Sequence, residues 1–197
     1  KEQGRGHHQF FRAEMNQHSL EKMRLLGGLR KALPGDELSL HLQPQRWLAD
    51  RRLRGAEALL RWQSAQFGAV PPDRFIGLAE ESGLIEPIGD WVLGRCCEIL
   101  RDWQAAGQGA LTLSANLSAR QFRARDLVAR VRAHLERCAV DPRRLELEVT
   151  ESVLLDPDGH NRELLFGLKD LGLTLAIDDF GTGYSSLAYL RRFPVDV

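Results

Sequence analysis

Five segments in which apolar and polar residues alternate predict the strands of this chain. The alternation is clearest at 145–150 and 173–178, where aliphatic side chains occupy one face and small or acidic ones the other. The segment 111–117 repeats this pattern, and two earlier strands are predicted at 38–42 and 55–62. Both of the last two strands end in carboxylates that are followed by a break in the pattern.

Helical periodicity predicts the segments between these strands. We expect a helix that begins with Asp73 as its N-cap and ends at Gly83, and the later helices are expected at 88–106, 126–138 and 162–171. A first helix, at 17–33, carries an apolar stripe of Leu20, Met23, Leu26, Leu29 and Leu33. This stripe is expected to pack on its own domain, with a short coiled-coil seam as the alternative.

The order of these elements predicts an α/β barrel. The last three strand ends are about 30 residues apart, which is the spacing of βαβ units. Right-handed crossovers would place the helices outside and bring the strand ends together. The carboxyl ends of such strands are where α/β barrels keep their active sites.

Polar side chains end the strands at corresponding places. They are Glu57, Asn116, Glu148 and Asp178, with Asp179 beside the last. Clustered carboxylates repel one another unless a cation lies between them, and oxygen ligands suit Mg²⁺ or Mn²⁺, with room for two ions. Zinc is less suitable because no His or Cys joins the set. The alternative is that these acids cap the helices that follow.

Composition narrows the function classes. The formal net charge is zero, so no attraction to a nucleic-acid polymer or to an anionic membrane is indicated. No apolar run approaches the roughly 20 residues that a membrane span needs. The three cysteines show no metal-binding spacing, and the odd count suits a reducing cytoplasm. Because the chain begins at Lys1 without Met, we expect it to be part of a longer protein. A membrane anchor upstream of Lys1 is compatible with this expectation.

Four motifs at these strand ends resemble those of EAL domains. In order they are EALLRW from Glu57, NLSARQF from Asn116, EVTES from Glu148 and DDFGTGYSS from Asp178. EAL domains are bacterial phosphodiesterases that linearise the second messenger cyclic di-GMP to pGpG. The resemblance therefore implies a cytoplasmic hydrolase with a TIM-type (β/α)8 barrel.

The resemblance also implies roles for individual residues. Glu57, Asn116, Glu148 and Asp178 match the metal ligands of the family, and Asp179 matches the acid that holds the second metal. Glu57 and Glu151 are expected to be essential for catalysis, with Glu151 steadying the loop from Asp179 to Ser186. That loop is associated with dimerisation, so a homodimer through the EAL domain is expected. Gln43 and Arg61 match positions that contact the dinucleotide.

Domain boundaries follow from the same resemblance. Residues 1–16 are similar to the last stretch of a GGDEF domain, 17–36 form a connecting helix, and 37–197 form the N-terminal part of an EAL domain. The barrel is expected to be incomplete, with about five strands, because the family continues after Val197 into a strand carrying Lys-x-Asp. We therefore expect residues 1–197 alone to be inactive and unstable.

Two other functions stay open at this point. The first is a non-enzymatic receptor for cyclic di-GMP. Such domains typically have substitutions in the first motif or in the metal-binding acids, and this chain has none at those positions. The second is an unrelated metal-dependent barrel hydrolase, and the order of the four motifs argues against it.

Overall fold

The computed structural model describes residues 13–154, 160–178 and 193–196. In this part of the chain the strands are β1 (Leu38–Arg46), β2 (Leu53–Ser64), β3 (Gly68–Val70), β4 (Thr112–Leu117), β5 (Leu145–Thr150) and β6 (Thr174–Asp178). The helices are α1 (Ala13–Ala32), α2 (Pro72–Ser82), α3 (Ile85–Ala105), α4 (Leu127–Cys138), α5 (Glu151–Leu154) and α6 (His160–Asp170). Short 3₁₀ turns cover Gln121–Arg123 and Pro142–Arg144.

The strands form one sheet in the order β1-β2-β4-β5-β6, with β3 paired to β2. The strands β2, β4, β5 and β6 run parallel, whereas β1 and β3 are antiparallel to β2. Helices alternate with the parallel strands, as the βαβ spacing predicted. The α/β architecture is therefore confirmed, and the carboxyl ends of four parallel strands lie along one edge of the sheet.

Two apolar clusters hold the sheet to its helices. The larger cluster joins β4, β5 and β6 to α3, α4 and α6, and Leu113, Leu145 and Leu147 within it are fully buried. The smaller one joins α1, α2 and β2 around Trp62, whose ring makes edge contacts with Phe67 and Phe75. All three cysteines are buried.

The first helix packs against α2 by a stripe that matches the predicted one only in part. Its buried residues are Leu25, Leu29 and Ala32, whereas Leu20 and Met23 are exposed. Exposed ion pairs, Lys22 with Glu81 and Glu21 with Arg74, lie across this contact between α1 and α2. Of the predicted stripe Leu29 is fully buried, and Leu26 and Leu33 are partly buried against the same cluster, so the helix packs on the rest of the described chain as expected.

Several element boundaries also differ from the predictions. The helix α1 begins at Ala13, so it extends into the segment assigned to a preceding domain, and residues 1–12 lie outside the described residues. Pro71 is the N-cap of α2, and Asp73 lies in its first turn and makes no capping bond. Gly83 does end that helix, in the left-handed conformation with a φ of 84°. The domain boundaries stay predictions.

A bulge interrupts the pairing of β1 with β2. Gln45 pairs with Gly55, but Arg46 pairs with Leu53, so Arg54 is an extra residue on β2. A bulge of this kind can re-aim a side chain relative to simple alternation. The side chain of Arg54 reaches Glu146 on β5, two strands away.

None of the helices in the described part of the chain is both long enough and apolar enough to cross a bilayer.

Candidate active site at the strand ends

Four of the predicted site residues lie on the neighbouring parallel strands. Glu57 on β2 is in register with Ser114 on β4, and Asn116 is in register with Glu148 on β5. Asp178 ends β6 and is in register with Thr150. The residues therefore do not form one level ring, since neighbouring strands are staggered, but they stay on adjacent strands near the same edge.

Asn116 and Glu57 contact each other directly. The Nδ2 amide of Asn116 donates a hydrogen bond to Oε1 of Glu57 across 2.9 Å. Because the nitrogen faces Glu57, the amide oxygen of Asn116 is turned away from Glu57. These two residues are 59 positions apart in the sequence, so the fold brings together what the motif spacing only suggested.

The carboxylates of this group interact electrostatically. Burial raises the pKa of Glu148, and the negative charges of Glu57, Asp178 and Glu146 raise it further. A hydrogen bond with Ser114 acts in the opposite direction. Glu148 is therefore close enough to Glu57 and Asp178 to feel their charge, which is the repulsion that a cation between them would relieve.

Within the described ranges, no three His, Cys, Asp or Glu side chains are arranged so that they could hold a metal ion. Asn116 is an amide and so is not one of these residue types, and Asp179 lies outside the described residues. The donor set is made only of oxygen atoms, from three carboxylates and one amide, which is the chemistry that Mg²⁺ and Mn²⁺ prefer. The residues at these strand ends therefore fit a hard divalent cation by their chemistry.

A cavity of about 340 Å³, with a mostly apolar lining, is bordered by Asn116 but by none of the three carboxylates. Arg61, Asn116 and Thr150 lie on its wall, together with Glu80 and Gln121 from the surrounding helices. Arg61 is half-buried, and its Nη1 donates to the backbone oxygen of Leu60 across 2.9 Å. Other N–H groups of a guanidinium can bind a phosphate, so Arg61 is suited to hold an anionic ligand in this cavity.

The other two predicted site residues take different positions. Gln43 is directly opposite Glu57 on β1, with an exposed side chain. Glu151 begins α5 immediately after β5 and is buried, with 5% of its surface exposed. The loop that Glu151 is expected to steady, 179–186, lies outside the described residues, so that role stays a prediction.

A set of polar contacts below the candidate ligands was not predicted from the sequence. Arg54 pairs with the buried Glu146, and Gln45 contacts both Arg54 and Ser114. Alternation alone placed Ser114 and Glu146 on the polar faces of their strands but suggested no partner for them. The signal that could have found Arg54 is its position directly before a glycine at the start of a strand, where bulges are common.

Known proteins that resemble this chain support the EAL resemblance. The family model described as the EAL domain matches residues 27–197. The cyclic di-GMP phosphodiesterase NbdA of Pseudomonas aeruginosa is 45% identical over 193 residues, which are 98% of this chain and 25% of NbdA. The bifunctional diguanylate cyclase/cyclic di-GMP phosphodiesterase MucR of the same organism is 43% identical over 194 residues, 98% of this chain and 28% of MucR.

A solved structure shares the fold. The PaMucR phosphodiesterase in complex with c-di-GMP aligns with a TM-score of 0.84 at 43% identity, over 88% of this chain and 70% of that one. The present chain spans only about a quarter of the length of the curated relatives NbdA and MucR.

Proposed function

Because the chain belongs to the EAL domain family, we propose that the protein hydrolyses cyclic di-GMP to linear pGpG. The observation that supports this proposal is that Glu57, Asn116, Glu148 and Asp178 lie on four neighbouring parallel strands, with Asn116 and Arg61 on the wall of one cavity. Relatives named as cyclic di-GMP phosphodiesterases support the choice of substrate.

We propose that Glu57, Asn116, Glu148 and Asp178, with Asp179, hold Mg²⁺ or Mn²⁺, and that the site takes two ions. The hydrogen bond from Asn116 Nδ2 to Glu57 supports this, since it leaves the amide oxygen to act as a ligand. Such cations supply a water nucleophile at neutral pH and neutralise the charge that builds on the phosphate.

The remaining residues bind and orient the substrate in this proposal. Arg61 donates hydrogen bonds to a phosphate oxygen from the cavity wall, which fixes the phosphodiester relative to the carboxylates. Gln43, on the strand next to Glu57, contacts a base or sugar edge with its amide. Glu151, buried at the start of α5, supports the loop after β6, through which the protein forms a homodimer.

The proposal is tested by incubating the full-length protein with cyclic di-GMP and Mn²⁺ or Mg²⁺ and measuring pGpG by chromatography. Glu57→Ala is expected to abolish turnover. The matched control is Glu81→Ala, which removes an exposed carboxylate of α2 that pairs with Lys22 and should leave turnover unchanged.

Two results would contradict the proposal. Binding of cyclic di-GMP without turnover at any metal concentration would make the protein a receptor. Turnover in Glu57→Ala equal to that of the wild type would show that the reaction takes place elsewhere.

A further inference from the structure

The turn between β1 and β2 concentrates exposed apolar side chains. Leu48 is 100% exposed, and Trp47 and Leu53 are 55% and 45% exposed. The other large apolar side chains that are exposed in the described residues are scattered over α1, β1 and α6. Single exposed apolar residues are normal on a protein surface, whereas a cluster of them marks a surface that contacts something else.

Arginines surround this apolar tip. The segment 46–54 contains four arginines and a single acid, Asp50. Arg54 is occupied by the buried Glu146. The three exposed arginines are Arg46, Arg51 and Arg52. Because Asp50 balances only one of them, the turn carries a positive charge that the zero net charge of the whole chain does not reveal.

Hydrogen bonds hold the turn in one shape. The backbone N–H of Trp47 donates to the carbonyl oxygen of Arg52, and that of Arg51 donates to the carbonyl oxygen of Trp47, both across 2.9 Å. The guanidinium of Arg54 lies 5.5 Å from the centre of the Trp47 ring and is itself held by a buried carboxylate. Leu48 is therefore presented to solvent by an ordered turn, which lowers the entropy cost of binding through it.

The turn lies at the end of the sheet opposite to the candidate active site. It joins the end of β1 to the start of β2, and β2 runs parallel with β4, β5 and β6. Asn116 and Asp178, in contrast, lie at or next to the carboxyl ends of their strands. Residues 47–52 also lie beyond the last pair of the β1–β2 ladder, so a strand added to the edge of β1 would not pair with them.

We propose that this turn docks onto an anionic lipid surface, with Leu48 and Trp47 entering the interface and the three exposed arginines binding lipid phosphates. Tryptophan and leucine beside basic residues are the side chains with which protein segments bind the membrane surface. The candidate active site then faces away from the bilayer and stays open to a soluble ligand. This inference goes beyond the proposed function and does not depend on it.

The shape and charge of the turn favour a lipid surface over two other occupants. A fully exposed side chain such as Leu48 projects from the surface, whereas an extended peptide would need a groove. A two-fold contact between two copies of this chain would bring their arginines together, and like charges repel.

The test uses the full-length protein with vesicles of phosphatidylcholine and phosphatidylglycerol, in which brominated acyl chains quench tryptophan fluorescence. The difference between the wild type and Trp47→Phe isolates the signal of Trp47 from that of the other tryptophans. We expect Trp47 to be quenched on these vesicles and not on vesicles of phosphatidylcholine alone. An unquenched Trp47 on the anionic vesicles would overturn the inference.

Two variants measure the separate contributions. Leu48→Asp should need roughly tenfold more lipid for half-maximal quenching of Trp47, because the projecting apolar side chain is lost. Arg51→Gln should need roughly fivefold more, the contribution of one arginine near an anionic surface. The matched control is Leu20→Asp, which changes an exposed leucine of α1 and should behave like the wild type. Equal lipid requirements for Leu48→Asp and Leu20→Asp would contradict the proposal.

The other occupants would give results of their own. If another part of the full-length protein covers the turn, acrylamide will fail to quench Trp47 in the absence of vesicles. If a second copy covers it, Leu48→Asp will convert a dimer into a monomer in light scattering. Either result would replace the lipid surface with a protein contact and so overturn the inference.

Discussion

Asn116 Nδ2 donates a 2.9 Å hydrogen bond to Glu57 Oε1, which joins β4 near its carboxyl end to the inner part of β2 at the candidate site. The bond turns the amide oxygen of Asn116 away from Glu57. It therefore places an amide oxygen and a carboxylate, both suited to bind a metal ion, on neighbouring residues. Glu57 and Asn116 are each the first residue of a motif that resembles an EAL motif, and neighbouring parallel strands bring the two motifs together.

We predict that Arg61 is required to hold the substrate phosphate. A hydrogen bond to a charged group contributes roughly 1.5–3 kcal/mol, so Arg61→Ala should lower kcat/KM for cyclic di-GMP by roughly 10–100-fold. Arg61→Lys should recover only part of this loss, because lysine lacks the planar fork. Arg95→Ala, which removes an exposed arginine of α3, is the control. Equal kcat/KM in Arg61→Ala and Arg95→Ala would exclude the proposed contact.

The fold that carries these residues was largely predictable from sequence. Strands β4, β5 and β6 alternate cleanly, and their ends were predicted within a residue or two, because each has one fully apolar face. The EAL resemblance and the barrel-type α/β fold are confirmed. The strand β3 was missed because three residues, Gly68–Val70, carry no periodicity.

The contacts of the candidate site were less predictable. Alternation gave the faces of Glu57, Asn116 and Glu148, but the stagger between strands depends on backbone pairing over long sequence separations. The bulge at Arg54 breaks the alternation itself, so the local pattern could not show that this side chain reaches Glu146. The stripe of α1 was predicted only in part, since Leu26, Leu29 and Leu33 pack as expected but Leu20 and Met23 are exposed.

The close approach of β2 and β4 requires glycine at position 55. A Cβ at Gly55 would lie 1.9 Å from the backbone oxygen of Thr112, so Gly55→Ala should force the two strands apart and cost about 1–3 kcal/mol. Gly77→Ala is the contrasting variant, because a Cβ there meets no atom within 4 Å and alanine favours the helix by about 1 kcal/mol. Urea unfolding should move in opposite directions for the two variants, and a Gly55→Ala protein as stable as the wild type would contradict this packing.

The turn before β5 should give a pH-dependent contribution to stability. A hydrogen bond from the Arg143 side chain holds the pKa of Asp141 below its ordinary value, and Asp141 also accepts from the backbone N–H of Arg143. Because the folded pKa is the lower one, the contribution is present above the unfolded pKa of about 3.9 and is lost as the pH falls through the folded pKa.

The variant Asp141→Asn tests this linkage because it keeps the acceptor but removes the charge. At pH 7 it should lower the free energy of unfolding by about 0.2–1 kcal/mol, as for a partly exposed ion pair. The difference from the wild type should shrink in urea titrations as the pH approaches 2. A difference that stays constant from pH 7 to pH 2 would mean that the charge of Asp141 contributes nothing.

The cysteines of α3 should be inert in the folded protein. Burial raises the pKa of Cys97 to about 12 and also raises the pKa of Cys96. Because the thiolate is the reactive form, iodoacetamide at pH 8 should leave both unmodified until guanidinium unfolds the protein. Mass spectrometry of peptides from folded and unfolded samples measures this, and rapid labelling of Cys96 in the folded sample would contradict the packing of α3.

The most direct test of the central claim is the anomalous diffraction of Mn²⁺ in crystals of the full-length protein. We expect an anomalous peak in contact with oxygen atoms of Glu57, Asn116, Glu148 and Asp178, at coordination distances of about 2.0–2.3 Å. A strong peak bound elsewhere, with these four side chains pointing away from it, would contradict the assignment of this edge of the sheet as the active site.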